Sequence, residues 1–436
     1  MPNALDAAPP LRPHPTKLFV EVTTRCNLRC HMCVKESAGQ VMREGHMARE
    51  TFARLAPAFP RLEALILNGI GEPLLHPDLE RFAEMAKEAM PAEGWVGFQT
   101  NGQLLGPKRA ASLAAAGVDR ICISADAVSP ELFKTLRRGG RQDAIELAAA
   151  SLHHAARARG RPISLGVEFV AMRDNLGQLP DLVRWAARNH FGFLIVTHML
   201  PYAEETRRAA AFDPNTDRAR QLFAKWKGRA AAEGLDIGRY FEVFMRFRRA
   251  PADERVVGFV KEMIADASAE GVFLSVERLL RSDEALRERV GDAFAEAEEI
   301  ARAEGIALRL PAVGPRRERR CDFVEEGGAF ISWEGDVHPC YFLWHGYNCH
   351  VAGVVKQVTP RSFGNVLRQD LLAVWEGAPF RTFRGEVVRY EFPYCYDCSL
   401  ALCDGVQGGE STEDCHLGAV PCGACLWSTG VFRCLQ

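Results

Sequence analysis

A chain of 436 residues is long enough for two domains, or for one domain with a large appendage. Its 47% hydrophobic and 25% charged residues are those of an ordinary globular protein, and a net charge of −2 argues against a polyanion-binding surface. No apolar run approaches the roughly 20 residues that cross a bilayer, so neither nucleic acid nor membrane is expected as a partner.

Residues 1–16 are Pro-rich, lack the apolar stretch of an export signal and read as a flexible tail, which makes the cytoplasm the expected location. From 17 to 202, short apolar runs alternate with amphipathic segments. Strands are expected over 18–22, 64–68, 95–100, 120–124, 163–170 and 193–197, with helices over 78–90, 108–116, 144–158 and 180–189. Gly117 and Gly192 stand where helices should stop. Repeated βα units imply a parallel sheet with its chemistry at the C-terminal strand ends. Six units are too few for a closed eight-stranded barrel, so the α/β fold expected is a partial (β/α)6 barrel, open on one side.

The notable motifs all fall at or just after these strands, where βα folds keep their functional loops. Cys26, Cys30 and Cys33 follow the first strand as C-x3-C-x2-C. Three thiolates on one loop can hold one [4Fe–4S] cubane and leave its fourth iron open. A structural zinc is the competing reading, with His31 the one nearby fourth ligand. Gly69, Gly71 and Glu72 follow the second strand, Asn101 the third, and Ser124 and Asp126 the fourth. Glu168 lies on the fifth and His198 ends the sixth. Cys122, inside an apolar strand, reads as a buried inert thiol.

The cysteine run after a first strand resembles the signature of the radical SAM family. The resemblance implies that the open iron chelates the amino and carboxylate groups of S-adenosylmethionine (SAM). Residues 68–73, Asn-Gly-Ile-Gly-Glu-Pro, are similar to the family's GGEP loop, whose backbone and Glu receive the SAM ammonium; Ile70 stands where the family has its first Gly. That assigns Gly69, Gly71 and Glu72 to SAM. Thr100-Asn101-Gly102 resembles the family's TNG turn, and Ser124-Ala125-Asp126 its SxD-type segment near the ribose and carboxylate. For Asn101 and Ser124 an ordinary strand-to-loop role is the alternative. Glu168 either faces the nucleoside or is an inward structural acid. His198 opens a segment, 198–202, similar to one that meets adenine mostly through its backbone.

Residues 203–318 carry no such motif and are expected to form a mainly helical insertion or linker, with a helix over 283–303, a stop at Gly305 and strand-like alternation at Ile306, Leu308 and Leu310. Ten of the 14 cysteines then fall between 321 and 434. Gly335 lies five positions before Cys340 in a hairpin-like stretch; C-x2-C-x4-C follows at 395–403, then Cys415 and C-x2-C-x8-C at 422–434.

This arrangement is similar to the SPASM extension of radical SAM maturases, an α+β cap that binds two auxiliary [4Fe–4S] clusters. By order in that pattern, Cys321, Cys340 and Cys415 serve the first cluster and Cys395, Cys398 and Cys403 the second. Cys422, Cys425 and Cys434 complete the sets in an order that spacing leaves open. Cys349 is an open-site ligand or free. Zinc held by the Cys395/Cys398 and Cys422/Cys425 pairs is the competing reading. Tyr341 stands where the sulfatase-activating branch has an Asp base, which argues against formylglycine formation.

The resemblance implies an enzyme that cleaves SAM reductively to a 5′-deoxyadenosyl radical, which takes hydrogen from a peptide or protein during its maturation. An electron donor such as flavodoxin or ferredoxin is implied too. Oxidation or rearrangement of a small molecule is the alternative within that chemistry. A cluster carrier or electron-transfer protein is the alternative outside it, and Glu72 argues against that, since a carrier needs no ammonium-binding acid.

Overall fold

The computed structural model describes residues 10–37, 42–351, 354–392, 394–397 and 420–435. The βα alternation yields β1 (Lys17–Val20), β2 (Ala64–Ile66), β3 (Trp95–Thr100), β4 (Arg120–Ser124), β5 (Ser164–Ala171) and β6 (Phe193–His198), each at or beside its expected range. Two further parallel strands extend the sheet beyond six: β7 (Ala307–Arg309) pairs with β6, and β8 (Gly328–Ile331) pairs with β1. β9 (Val337–His338) returns antiparallel to β8, giving nine strands in the order β9-β8-β1-β2-β3-β4-β5-β6-β7. The expected partial barrel is thus wider than six units. Three apolar residues at 306, 308 and 310 announce a strand but say nothing of its partner.

Outside the sheet lie α1 (Leu79–Ala89), α2 (Pro107–Ala115), α3 (Asp143–Arg159) and α4 (Leu179–Arg188). Each presents one apolar stripe, such as Leu79, Phe82, Ala83 and Ala86 of α1, to the outer strand faces. Gly117 (φ +82°) takes the left-handed position after α2, as expected. After α4 that position belongs to His190 (φ 58°), not to Gly192. The turn closes earlier because Phe191 N already donates to Ala186 O at 3.0 Å, and Gly192 N is then free to join the sheet at Leu165 O.

The strand period of two separates the inner face into tiers. Phe19, Ile66, Cys122 and Ile195 form an inner core with Phe330, Tyr341 and Leu435. Two residues further along the same strands, at the C-terminal ends, come Glu21, Asn68, Ser124 and Thr197. The floor of the lumen is therefore filled and its upper tier is polar.

The middle of the chain is helical: α5 (Asp217–Ala232), α6 (Pro251–Ala269) and α7 (Glu284–Glu304). α7 packs beside α4, burying Leu286, Val290, Phe294, Ala297 and Ala301. α5 and α6 build a second core around Phe223, Trp226, Val260 and Met263. The C-terminal part adds the hairpin β10 (Tyr347–Val351)/β11 (Val354–Val358), α8 (Leu371–Glu376) and α9 (Ala378–Arg389). Gly335, at φ +91°, makes the β8–β9 turn. Among the described residues, no helix is long and apolar enough to cross a membrane.

Met263 is fully enclosed in the second core, so Met263→Ala should cost about 2–5 kcal/mol of local stability. Limited proteolysis in urea should cut the 217–280 segment earlier than in the wild type, while iron bound per chain stays unchanged.

Candidate active site

The loop after β1 is tied down by hydroxyls: Thr23 Oγ1 donates to Gly45 O at 2.9 Å and Thr24 Oγ1 to Arg43 O at 3.0 Å. Arg29–Cys30 then pairs antiparallel with Arg137–Arg138, and Cys33 N donates to Cys30 O at 3.0 Å. Cys26, Cys30 and Cys33 thereby stand on one short loop at the C-terminal end of the sheet. Burial pushes all three thiols up, Cys33 to about 11. Unligated, they would be protonated and inert at neutral pH; a metal displaces that proton.

Arg137 is the residue that sequence reasoning missed. Its Nη1 lies 3.9 Å from Cys30 Sγ, and its Nε is 2.7 Å from Asp126 Oδ2 in an ion pair with almost no solvent access. The only signal was a basic pair directly before Gly139-Gly140. A buried guanidinium beside the thiols suits an anionic cluster.

Glu72 is buried at 2% exposure and accepts three hydrogen bonds: from Leu74 N (3.1 Å), Thr100 Oγ1 (2.6 Å) and Asn101 N (2.7 Å). Its own N–H donates to Arg25 O at 2.8 Å. Asn101 passes the connection on, donating from Nδ2 to Asn27 Oδ1 at 2.8 Å with Cys26 Sγ 4.0 Å away. Most of the carboxylate's capacity is spent on the protein, leaving about one lone-pair site for a ligand. Gly71 admits no side chain, because a Cβ would lie 2.4 and 2.5 Å from the carbonyl oxygens of Thr23 and Arg25. A Cβ on Gly69 would strike the Glu21 side chain.

Asp126, assigned to SAM by resemblance, is committed to Arg137 and to Val170 N at 2.8 Å. Ser124 pairs in register with Glu168 at the sheet's upper rim. Glu168 faces the lumen, and burial pushes its carboxyl up to about 7, against a hydrogen bond from Gln99. His198 does not face the lumen. It lies on the opposite strand face between Phe212 and Phe294, with Nε2 3.1 Å from Ala312 O, and burial lowers it to about 4. The alternation that turns Thr197 inward turns the His198 side chain away from any lumen ligand. Cys122 is fully buried, as expected.

A directional chain of donors crosses the upper lumen. Tyr341 Oη donates to Asn68 Oδ1 (2.6 Å), Asn68 Nδ2 to Gln99 Oε1 (2.6 Å), and Gln99 to Glu168. His345 adds a second link from the C-terminal part, with Nε2 3.0 Å from Glu21 Oε1.

Of the later cysteines, Cys321, Cys340, Cys422 and Cys425 line one apolar cavity. Cys395 N donates to Gly423 O beside it, and Cys434 borders a neighbouring cleft. Cys349 is fully buried in the β10–β11 hairpin. Cys398, Cys403 and Cys415 lie outside the described residues. Among the described residues, no three His, Cys, Asp or Glu side chains converge tightly enough for a single ion. A cubane gives each thiolate its own iron and so spaces its ligands more widely. The Cys26/Cys30/Cys33 loop fits such a cluster: Glu72 and Asp126 are engaged, and His31 is turned to solvent.

Residues 20–186 match the family model described as the radical SAM superfamily, and residues 321–399 match one described as an iron–sulfur cluster-binding domain, SPASM. The chain carries a radical SAM domain and a SPASM domain. It is a radical SAM–SPASM enzyme whose cofactors are a [4Fe–4S] cluster, SAM and auxiliary clusters. It is 28% identical over 423 residues, 96% of each chain, to the tungsten-containing aldehyde ferredoxin oxidoreductase cofactor-modifying protein of Pyrococcus furiosus. A GTP 3′,8-cyclase of Heliobacterium modesticaldum is 40% identical over 144 residues, which span 31% of this chain and 43% of the cyclase. The fold is similar to that of Streptococcus suis SuiB bound to S-adenosylmethionine (TM-score 0.50, 15% identity, 92% of this chain and 75% of that one).

Two outcomes follow for this radical SAM site. Glu168 titrates near 7 in the fold against an ordinary 4.5, so the folded state holds its proton longer than the unfolded chain. Its burial therefore costs nothing below the ordinary value, and an increasing amount up to about 3 kcal/mol as pH rises through 7. Ligand-free Glu168→Gln should match the wild type in urea denaturation at pH 4.5 and exceed it at pH 8. Arg137→Leu leaves Asp126 as an unpaired buried acid and should cost about 3–5 kcal/mol. Iron bound at the first cysteine loop should fall with it, and Arg137→Lys, lacking the planar fork, should not restore it.

Proposed function

We propose that Cys26, Cys30 and Cys33 hold the SAM-binding cubane of an enzyme that modifies a peptide or protein. The observation that carries this reading is the loop itself: three thiols with a guanidinium beside them, fixed through Asn101 and Glu72, and with the neighbouring acids already engaged. A cluster held there would supply one electron to SAM, breaking its C5′–S bond to release methionine and a 5′-deoxyadenosyl radical able to remove a hydrogen atom from an unactivated C–H bond.

The chain's own residues do the rest. The backbone at Gly69 and Gly71 and the remaining acceptor site on Glu72 receive the SAM ammonium. Asn101 and Ser124 border the nucleoside, while Asp126 acts through Arg137 instead of touching it. The polar tier from Tyr341 to Glu168 orients the substrate, and Glu168 can take up a proton at its carboxylate near neutral pH. Tyr341 and His345 close the lumen from the C-terminal side and keep water out.

In this reading residues 17–202 are the radical SAM partial barrel, 203–318 a helical insertion and 319–436 the auxiliary-cluster region, with Cys321, Cys340, Cys395, Cys398, Cys403, Cys415, Cys422, Cys425 and Cys434 as its candidate ligands. A maturation role is supported by similarity along the whole chain to a protein named for modifying an oxidoreductase cofactor. Similarity to the cyclases is confined to part of each chain and supports the shared SAM chemistry alone. A flavodoxin or ferredoxin would supply the electron, in the cytoplasm.

Anaerobic reconstitution followed by dithionite and SAM tests the reading. The wild type should form 5′-deoxyadenosine, and Cys30→Ala should form none. An intact first cluster that yields no 5′-deoxyadenosine would turn the assignment toward a cluster carrier.

A further inference from the structure

A cleft of about 410 Å³ opens where three parts of the chain meet: the segment after β6, the turn before α7 and the β10–β11 hairpin. Pro201, Arg208 and Phe212 line it from the first, Arg278 and Arg281 from the second and His350 from the third. His350 N donates to Pro201 O at 2.8 Å, which ties the hairpin to the segment after β6.

The walls carry six guanidiniums, from Arg173, Arg207, Arg208, Arg278, Arg281 and Arg287, against three carboxylates, from Asp213, Glu277 and Asp283. Each of these acids is already engaged: Asp283 with Arg173 (2.6 Å), Glu277 with Arg281 (2.8 Å) and Asp213 with Arg220 (3.2 Å), which lies outside the lining. Arg207 pairs with Glu204 and Arg287 with Asp217, and Arg278 Nη2 donates to a carbonyl, Tyr396 O, at 2.7 Å. Arg208 is exposed and makes no ion pair among the described residues. A concave wall with more cations than anions concentrates positive potential, and a guanidinium without a carboxylate keeps its planar fork for a ligand. The lining is not polar throughout. Ala211, Phe212 and Leu286 are buried beneath the exposed Arg207, Arg208 and Arg281.

The cleft also lies close to the chemistry. Ala210, on its wall, packs with Met172 and Met199 in a cluster that includes Met32, between Cys30 and Cys33. Tyr202, next to Pro201, is near enough to Cys33 for the charge of that thiolate to reach it. Given a peptide or protein substrate, on which this reading rests, we propose that the cleft holds an extended acidic segment of that substrate, beside the portion that enters the lumen. Its carboxylates would take the arginines, bidentate where the fork allows, and its apolar side chains would cover Phe212 and Leu286. A bare phosphate fits less well, since it has no use for an apolar floor and would meet three carboxylates on the walls.

Fluorescence anisotropy on the anaerobically reconstituted full chain tests this without any radical step. The probe is a fluorescein-labelled peptide of Glu-Gly-Leu repeats, and a Lys-Gly-Leu peptide of the same length is its counterpart. The acidic peptide should bind and the basic one should not, and added NaCl should weaken the binding. Arg208→Glu should reduce affinity about tenfold or more, whereas Arg368→Glu, exposed outside the cleft, should leave it unchanged. If Arg208→Glu does not fold, Arg281→Glu gives the same reading. Absence of binding, equal binding of the two peptides, indifference to the cleft variant, or displacement of the probe by inorganic triphosphate but not by unlabelled acidic peptide would overturn the proposal. SAM cleavage is followed separately in the wild type. Formation of 5′-deoxyadenosine without peptide binding faults the cleft alone, and peptide binding without 5′-deoxyadenosine faults the radical assignment alone.

Discussion

Glu72 is withdrawn from water with no salt-bridge partner among the described residues, and its charge is borne mainly by three N–H and O–H donors from two different loops, with Arg137 helping from further off. Hydrogen bonds to a charged acceptor contribute about 1.5–3 kcal/mol each, and they work against the burial that pushes this carboxyl up. Because Thr100 and Asn101 end β3 while Glu72 follows β2, the carboxylate welds two βα loops together. Its N–H on Arg25 O and the Asn101 amide on Asn27 extend the weld to the cysteine loop. Three loops are thereby tied to one another by hydrogen bonds, as the placing of a cluster with three short metal–sulfur bonds requires. Gly71 serves the same weld by letting the backbones of 23–25 and 71 come within contact distance.

The C-terminal part is not a lid resting on the rim. β8 extends the sheet from β1, so the segment that follows β9 starts inside the architecture of the barrel. Tyr341 enters the inner core against Phe19, Phe323 and Phe330, and its hydroxyl reaches Asn68. His345 meets Glu21 two residues beyond β1's inner Phe19. Aromatic mass fills the floor while polar atoms from both halves of the chain meet in the tier above it. The result is a polar tier in which hydrogen bonds run from Tyr341 to Glu168 and link His345 to Glu21.

The sheet and its outer helices were legible because period two and period 3.6 differ sharply over stretches such as 95–100 and 179–188. The cysteine loop was legible because thiols at that spacing are rare outside metal sites. Arg137 was not: its role depends on a two-residue pairing with Arg29–Cys30, a contact across 107 residues that no local pattern records. The partners of the Asp126 and His198 side chains were not legible, since a motif identifies a strand end but not which of two alternating faces a residue takes. The seats of β7 and β8 were illegible because strand order is a tertiary choice.

The long helical insertion is consistent with this rigid site. The chain leaves the sheet at His198 and comes back as β7, pairing with the same strand it left, with Phe193 opposite Ala307. An excursion whose ends are neighbours adds little closure entropy with each added residue, since that cost grows only with the logarithm of length. The insertion has its own apolar core at Trp226 and Met263, and α7 fastens its exit to α4. Its entry, by contrast, touches the chemistry: Ala209 and Ala210 pack with Met32, Met172 and Met199 beside the cysteine loop. Methionines adapt their shape at low cost, so this contact can follow changes in the insertion without transmitting them to Cys30 and Cys33. Variation in the 217–280 helices is thus compatible with an unchanged cluster loop, and this is the part of the chain where a substrate-specific surface could diverge while the welded loops stay as they are.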